Sequence, residues 1–464
     1  VAGISEGPHA FFRLGPAENG QAQCFAVQRG SISGRVNADY FHPERLLALR
    51  ALRQLAQALD CPRLAQLVDF IRHPIQSPGP GCLSLAHVQS HTGELVPTNR
   101  KVTGSCFVFQ RGDVLFARLG AYLNKVHAAE SDGGCSPEFH VLRVKNHEAL
   151  HPDYLAAILR SNLTLAQTRH MMTGNTHPRL TYEDVVNLVI PLPDIGKQAR
   201  LVSEMDAARA ERRAKLAEAN ALLADFDSYL LATLGLALPP KDERKVFAVR
   251  KLDCGSQARL NADYFHPERI LALHALEHSA QALDCPRLAQ LVDFIRHPIQ
   301  SPGPGCLSLA HVQSHTGELV LTNKKVTGTC FVFQRGDVLF ARLGAYLNKV
   351  HAAESGGCCS PEFYVLRIKD SKALHPDYLA AILRSSLTLA QTQYMMTGNT
   401  HPRLTHEDVT NLVFPVPTPA VQETIAAEAR RRREEARRLR AGAEAGWQAA
   451  KCWFEAQLLG PAPP

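Results

Sequence analysis

The sequence predicts an α+β protein of two tandem, near-identical domains, each mostly antiparallel sheet plus helices and each followed by a long helix. Three observations carry that expectation. Residues 37–193 align with 261–417 at a constant offset of 224 without a gap, and 22 of those 157 aligned positions differ. That period is far too long for a solenoid, so each copy is a domain with its connector. Short β-favouring runs separated by Gly- and Pro-marked turns fill the middle of each copy. A long helix candidate closes each one. The expected boundaries are a first domain over 1–195, a first long helix over 196–236, a linker and second domain over 237–419, and a second long helix and tail over 420–464.

Taken in order, residues 1–36 read as Gly-rich and irregular, with one apolar stretch from Cys24 to Val27 that Val246 to Val249 echoes before the second copy. Each copy then opens with Asn-Ala-Asp-Tyr-Phe-His-Pro-Glu, at 37–44 and 261–268. A short amphipathic helix over 44–59 follows, with Leu46, Leu49, Leu52, Leu55 and Leu59 on one stripe. Phe107-Val108-Phe109 and Val114-Leu115-Phe116 are strand candidates separated by the turn 110–113. Phe139 to Val144 alternates like a strand with one buried face. A helix is expected from Pro152 to about Thr168, with Pro at its first position and Asp153 in its first turn. A short strand over 188–191 ends the copy.

The first long helix is expected over about 196–234 and the second over about 420–458. In the second, Ile425, Ala429, Arg432, Ala436, Leu439, Ala443, Gly446, Ala450 and Trp453 fall at alternating four- and three-residue steps, a coiled-coil seam that Arg432 interrupts. The first is looser, with Met205, Ala208, Leu216, Ala219, Leu223, Phe226 and Leu230. Pro239-Pro240 ends it. The run Arg430 to Arg433 is followed by Glu434-Glu435, so it reads as a solvated face.

A hydrophobic content of 45% and a charged content of 20% describe an ordinary soluble globular protein. The net charge of +7 permits an anionic partner without demanding one. Eight of the 12 cysteines are four repeat pairs, none in a CxxC, which favours reduced thiols in a cytoplasmic protein. No charged-then-apolar leader and no run of eighteen apolar residues occurs, so membrane spanning and secretion are not expected. No GxxxxGK[ST] loop, G-x-G-x-x-G or G-x-S-x-G elbow occurs. Neither does an Asn-Pro-Pro-Tyr-type tetrapeptide or the acidic pair and Glu-x-Lys of a magnesium-dependent nuclease. The 21 histidines are scattered over loops, without metal-ligand spacing. The chain therefore reads as non-catalytic, with no cofactor or metal of its own.

The order of these segments resembles the specificity subunits of Type I restriction–modification systems, over essentially the whole chain. The carrying segments are Asn37-Ala-Asp-Tyr-Phe-His-Pro, Arg111-Gly-Asp-Val-Leu-Phe-Ala-Arg-Leu-Gly and Ser136-Pro-Glu-Phe-His-Val-Leu-Arg. His151-Pro-Asp-Tyr-Leu-Ala-Ala-Ile-Leu, Thr173-Gly-Asn-Thr-His-Pro-Arg-Leu and Leu188-Val-Ile-Pro-Leu-Pro follow, with Gln198 opening the helix. The resemblance implies two target recognition domains held apart by an antiparallel pair of long coiled-coil helices, reading a bipartite sequence in double-stranded DNA. It implies two methyltransferase subunits as partners, which bring S-adenosylmethionine and adenine-N6 methylation, and room for motor–nuclease restriction subunits. The helix pair would meet through Met205, Leu216, Leu223, Phe226 and Leu230 on one side. Ile425, Ala429, Ala436, Leu439, Ala443 and Ala450 would face them. One departure is plain: such subunits usually carry dissimilar recognition domains, and these are near duplicates.

A base reader needs groove-facing donors and cations at the phosphates. Arg118, Tyr122, Asn124 and Lys125 beside Gly120 form the first candidate stretch; the alternative is a polar hairpin loop with Tyr122 in the core. Asn175, His177 and Arg179 form the second, against a turn merely shaped by His-Pro. Gln76 and Ser77 with Asn99, Arg100 and Lys101 form the third, against a solvated turn. The counterparts are Arg342, Tyr346, Asn348 and Lys349, then Asn399, His401 and Arg403, then Gln300 with Lys324 and Lys325. Domains related by an antiparallel helix pair would read opposite strands in the same polarity, so identical domains imply inverted, near-palindromic half-sites. A specificity component of a Type IIB- or IIG-like or other defence system, and a non-enzymatic protein- or RNA-binding scaffold, stay open as rival readings.

Overall fold

A computed structural model describes residues 39–76, 81–98, 100, 102–174, 176, 178–237, 246–248, 263–279, 283–300, 305–320, 322, 324, 326–398 and 400–459, with the backbone of three earlier strands. Those strands, Ala2–Gly3, His9–Pro16 and Ala22–Gln28, form an antiparallel sheet, where the sequence had suggested irregular chain. The stretch Cys24 to Val27 is thus one strand of a hairpin, its Phe25 in register with Phe12. Among the described residues no helix is long and apolar enough to cross a membrane. The chain divides into two units, residues 1–213 with 443–464, and residues 214–442.

In the first unit, Val68–Ile71, Phe139–Val144, Val114–Ala117 and Val126–Ala128 lie side by side in that order, all antiparallel. A second sheet holds Pro74–Ile75, Cys106–Phe109 and Gly133–Cys135. The two Phe-rich runs flanking the turn 110–113 therefore enter different sheets and do not pair with each other. Every residue of Val114–Ala117 is buried. Side chains alternate across a strand, so Val114 and Phe116 join the helix-covered core while Leu115 and Ala117 face the second sheet. Phe139–Val144 is likewise buried on both faces, not on one as its alternation suggested, because each face has its own cover. The second unit repeats this arrangement with Val292–Ile295, Phe363–Ile368, Val338–Ala341 and Val350–Ala352.

The helix expected over 152–168 is two helices, Pro152–Arg160 and Asn162–Thr168. Ser161 between them is extended, and its hydroxyl accepts the Thr164 N–H as an N-cap. The first amphipathic helix stops at Leu55, and of its proposed stripe only Leu52 is fully buried. Where a strand over 188–191 is expected there are two isolated bridges, Val189 opposite Arg63 and the neighbouring Leu192 opposite Asp60.

Two rods follow the copies: Ile195–Ala224 continued by Phe226–Thr233, and Pro419–Leu459. Gln198 fastens the first to its domain. Its fully buried amide donates to the Ala149 and Pro193 carbonyls and accepts the His151 N–H; Gln422 repeats this. The rods run in opposite senses within each unit. In the first, Arg212 pairs with Glu444 while Arg209 lies over the Trp447 ring. In the second, Arg440 meets Asn220 while Arg432 reaches the Leu222 carbonyl and Asp225.

Of the proposed seam, Met205, Leu230, Ile425, Ala429, Ala436 and Ala443 are buried, while Leu216, Leu223, Phe226, Leu439 and Ala450 are half-buried. Beyond Ala443 the seam departs from its expected phase. Gly446 and Trp453 are exposed, and Trp447, Phe454 and Leu458 point inward. The strict seven-residue repeat gives way because these side chains fill the first domain's core beside Tyr154, Leu201 and Met205. Reciprocally, Leu230 and Leu234 of the first rod enter the second domain's core. Each rod also caps a helix: Glu455 accepts the Asn162 N–H, and Asp227 accepts that of Ser386.

Arg430 to Arg433 all bond to acids, Arg430 and Arg433 to Asp377, Arg431 to Glu428, and Arg432 to Glu428 and Asp225. Arg432 and Arg433 are only 11% exposed, so half of this run is inward-facing and not a solvated face. Trp447→Ala or Phe454→Ala is expected to destabilise the first unit by about 3–5 kcal/mol. Trp453→Ala should stay within about 0.5 kcal/mol. Urea unfolding of the three variants checks this, and equal losses would restore the seam to Trp453.

Candidate functional site

The first two candidate stretches, far apart in sequence, are joined by backbone pairing. The Gly120 N–H donates to the Pro178 carbonyl at 2.9 Å, and the Leu180 N–H donates to the Arg118 carbonyl at 2.8 Å. Leu119 and Arg179 form the bridge between them. Gly344, Pro402, Leu404 and Arg342 repeat the same bonds in the second copy. Gly120 has φ 61°, a left-handed conformation that costs a glycine little.

Within this joined patch the side chains have different fates. Tyr122 and Tyr346 are 49% and 52% exposed, so the alternative of a core tyrosine fails. Asn124 is not available to a partner. It is buried at φ 47°, and its amide donates to the Arg160 carbonyl at 2.8 Å, as Asn348 does to that of Arg384. Lys125 is also engaged, its Nζ bonding the Leu85 carbonyl at 2.6 Å; Lys349 bonds those of Leu309 and Val312. Burial lowers the pKa of both lysines. Asn124 and Asn348 thus build the loop from inside, and these bonds tie the half-buried Lys125 and Lys349 to it.

Arg179 forms a two-pronged bond to Glu138, and Arg403 one to Glu362. The Arg403 bond holds the Glu362 carboxyl below its ordinary range against the opposing effect of burial. Such planar pairing fixes orientation as well as charge. His401 is exposed beside it. Gln76 is exposed, whereas Gln300 bonds Thr329 at 3.1 Å; Arg100 and Lys324 are exposed. Asn175, His177, Ser77, Asn99, Lys101, Asn399 and Lys325 lie outside the described residues.

Arg118 borders a cleft of about 80 Å³ with Phe70, Arg72, Phe107, Phe139 and His140. The buried Nε of Arg118 and Nε2 of His140 have no hydrogen-bond partner among the described residues. Burial, then the guanidiniums of Arg118 and Arg72, push the His140 pKa down to about 4, so the imidazole is neutral near pH 7. Neither Arg72 nor His140 was among the sequence candidates. The available signal was that His140 is one of the 22 positions at which the copies differ.

No family model matches the chain. Among curated proteins it is similar to the specificity subunit of the Type I restriction enzyme EcoDI from Escherichia coli, 20% identical over 276 residues. That match covers 58% of this chain and 60% of the relative, so less than two-thirds of the curated protein is spanned. The chain is similar to Type I specificity subunits. Among solved structures, a chain from a study of complex assembly in the type I R-M system has TM-score 0.46 and 19% identity, covering 86% of this chain and 96% of that one. The HsdS subunit from Thermoanaerobacter tengcongensis has TM-score 0.36 and 19% identity, with the same coverages. The S subunit from M. genitalium has TM-score 0.41 and 10% identity, covering 88% and 98%.

One group of possible metal ligands, His42, Glu44 and His170, comes together among the described residues. The imidazoles stack 3.8 Å apart with planes 6° from parallel, so they do not converge on a common point. His42 Nδ1 accepts the Glu44 N–H, and Arg169 already pairs with Glu44. The second copy stacks Tyr394 on His266 in the same way. The cluster is an aromatic clamp on the opening segment. Asn124→Ala should leave the Arg160 carbonyl unpaired and cost about 1–3 kcal/mol. Tyr122→Ala should cost less than about 0.5 kcal/mol. Chemical denaturation distinguishes them, and an unaffected Asn124→Ala protein would return that residue to the contact set.

Proposed function

We propose that the chain is the non-catalytic specificity subunit of a Type I restriction–modification complex. It binds double-stranded DNA, and each repeat reads one half of a bipartite, near-palindromic target. One observation carries this. Both copies present the same joined pair of loops, with an exposed tyrosine and an arginine whose Nε has no partner among the described residues, on a frame differing at 22 of 157 positions. The likeness to the EcoDI specificity subunit supports the assignment. Two methyltransferase subunits would bring S-adenosylmethionine and the adenine-N6 transfer, and restriction subunits would join for cleavage.

Within each unit the rods run in opposite senses, and the two recognition domains are near duplicates. Duplex DNA has dyads perpendicular to its axis, so matching domains would read inverted copies of one half-site. A rod of roughly 35 residues is about 50 Å long. Half-site centres about one turn apart, near 34 Å, fall within that reach.

Selection from a randomised duplex pool with the purified complex should enrich inverted, closely matching half-sites. Binding should weaken steeply as salt is raised, because phosphate contacts release counterions. Unrelated half-sites, or a direct repeat, would refute the near-palindromic reading. Arg118→Ala with Arg342→Ala should cost about 1–3 kcal/mol of base discrimination per half-site. A uniform loss across all sequences would instead reduce these arginines to phosphate contacts.

A further inference from the structure

Two of the 22 differences between the copies are reciprocal and adjacent in space. The first copy has His140 and Tyr182 where the second has Tyr364 and His406. Both pairs pack on the same phenylalanine. Phe70 meets His140 at 5.8 Å and Tyr182 at 4.9 Å; Phe294 meets Tyr364 at 5.7 Å and His406 at 4.6 Å. The frame is preserved while imidazole and phenol trade places.

The trade changes what the cleft beside Arg118 offers. In the first copy His140 is 5% exposed, and its buried Nε2 has no partner among the described residues in a cleft it shares with Arg72 and Arg118. In the second, the Tyr364 hydroxyl donates to the Leu404 carbonyl at 3.1 Å, so the group facing Arg342 is already satisfied. Beside it, Tyr182 lies beneath the Arg72 guanidinium at 5.0 Å, and in the second copy His406, exposed as Tyr182 is, takes that position. A buried polar atom left without a partner is costly, so a polar occupant of the first cleft gains what Nε2 lacks. The cleft adjoins the joined loops: Arg118 lines it from one of them, and Glu138, which bonds Arg179 of the other, immediately precedes the strand Phe139–Val144 that carries His140.

We infer that this cleft meets a base edge and that the His–Tyr exchange makes the two domains read one base pair differently in otherwise matching half-sites. The inference rests on the proposed DNA-reading function. Arg72, Arg118 and their counterparts are common to both copies and read the shared part of the site. His140 with Tyr182, and Tyr364 with His406, set the position that departs from the palindrome.

The test is pool selection with the complete chain in its methyltransferase complex, wild type against the double variant His140→Tyr, Tyr182→His. The second domain already folds with those residues, so the variant carries a tolerated pair. Wild type should enrich half-sites that match except at one base pair. The variant should convert the first half-site to the second, with relative affinity for the two bases shifting about five- to hundredfold. The reciprocal variant Tyr364→His, His406→Tyr should do the opposite. Perfectly matching wild-type half-sites overturn the inference, and so does a mismatch that the exchange leaves in place or a uniform change in affinity. Absence of any sequence preference would instead overturn the DNA-reading function itself.

Discussion

Each domain depends on a core completed by a rod that the other copy precedes. Trp447, Phe454 and Leu458 close the first, and Leu230 and Leu234 close the second. Phe454 and Leu458 stand at the repeat offset of 224 from Leu230 and Leu234. The rods share little sequence, yet both deliver apolar side chains at matching heights to matching cores. Fully burying such side chains is worth about 1.5–3 kcal/mol each. The carboxylates of Glu455 and Asp227 fix the same joint at the helix starting with Asn162 or Ser386.

The repeat, the α+β class and the rods were all legible in the sequence. A self-match needs no physics to see, and long helical periodicity is the strongest local signal. What failed was decided by tertiary cover. The central strand of each sheet is buried on both faces because a second sheet lies behind it, which alternation alone cannot report. Pro152 to Thr168 read as one helix because nothing in composition marks Ser161 as an extended joint. The seam phase slipped after Ala443 because Trp447 and Phe454 answer to a distant domain, not to the partner rod.

The candidate site was legible only as residue chemistry. Tyr122 is exposed and Arg118 borders a cleft, whereas Asn124, Lys125 and Arg179 are held by Arg160, Leu85 and Glu138. Donors that suit a base edge equally suit a backbone carbonyl, and only the fold decides which one they meet. Arg72 lies in none of the quoted segments, and His140, inside Ser136 to Arg143, read there only as a strand position. Their association is made by strand pairing between 68–71 and 139–144.

The closure of the first core by the last helix also sets an order of events in synthesis. At about 5–20 residues per second, the first domain emerges on the order of tens of seconds before Trp447 is made. Throughout that interval its apolar groove has no cover from its own sequence. The first domain is thus sealed only after the second has been made, and it needs shielding from neighbouring chains in the meantime.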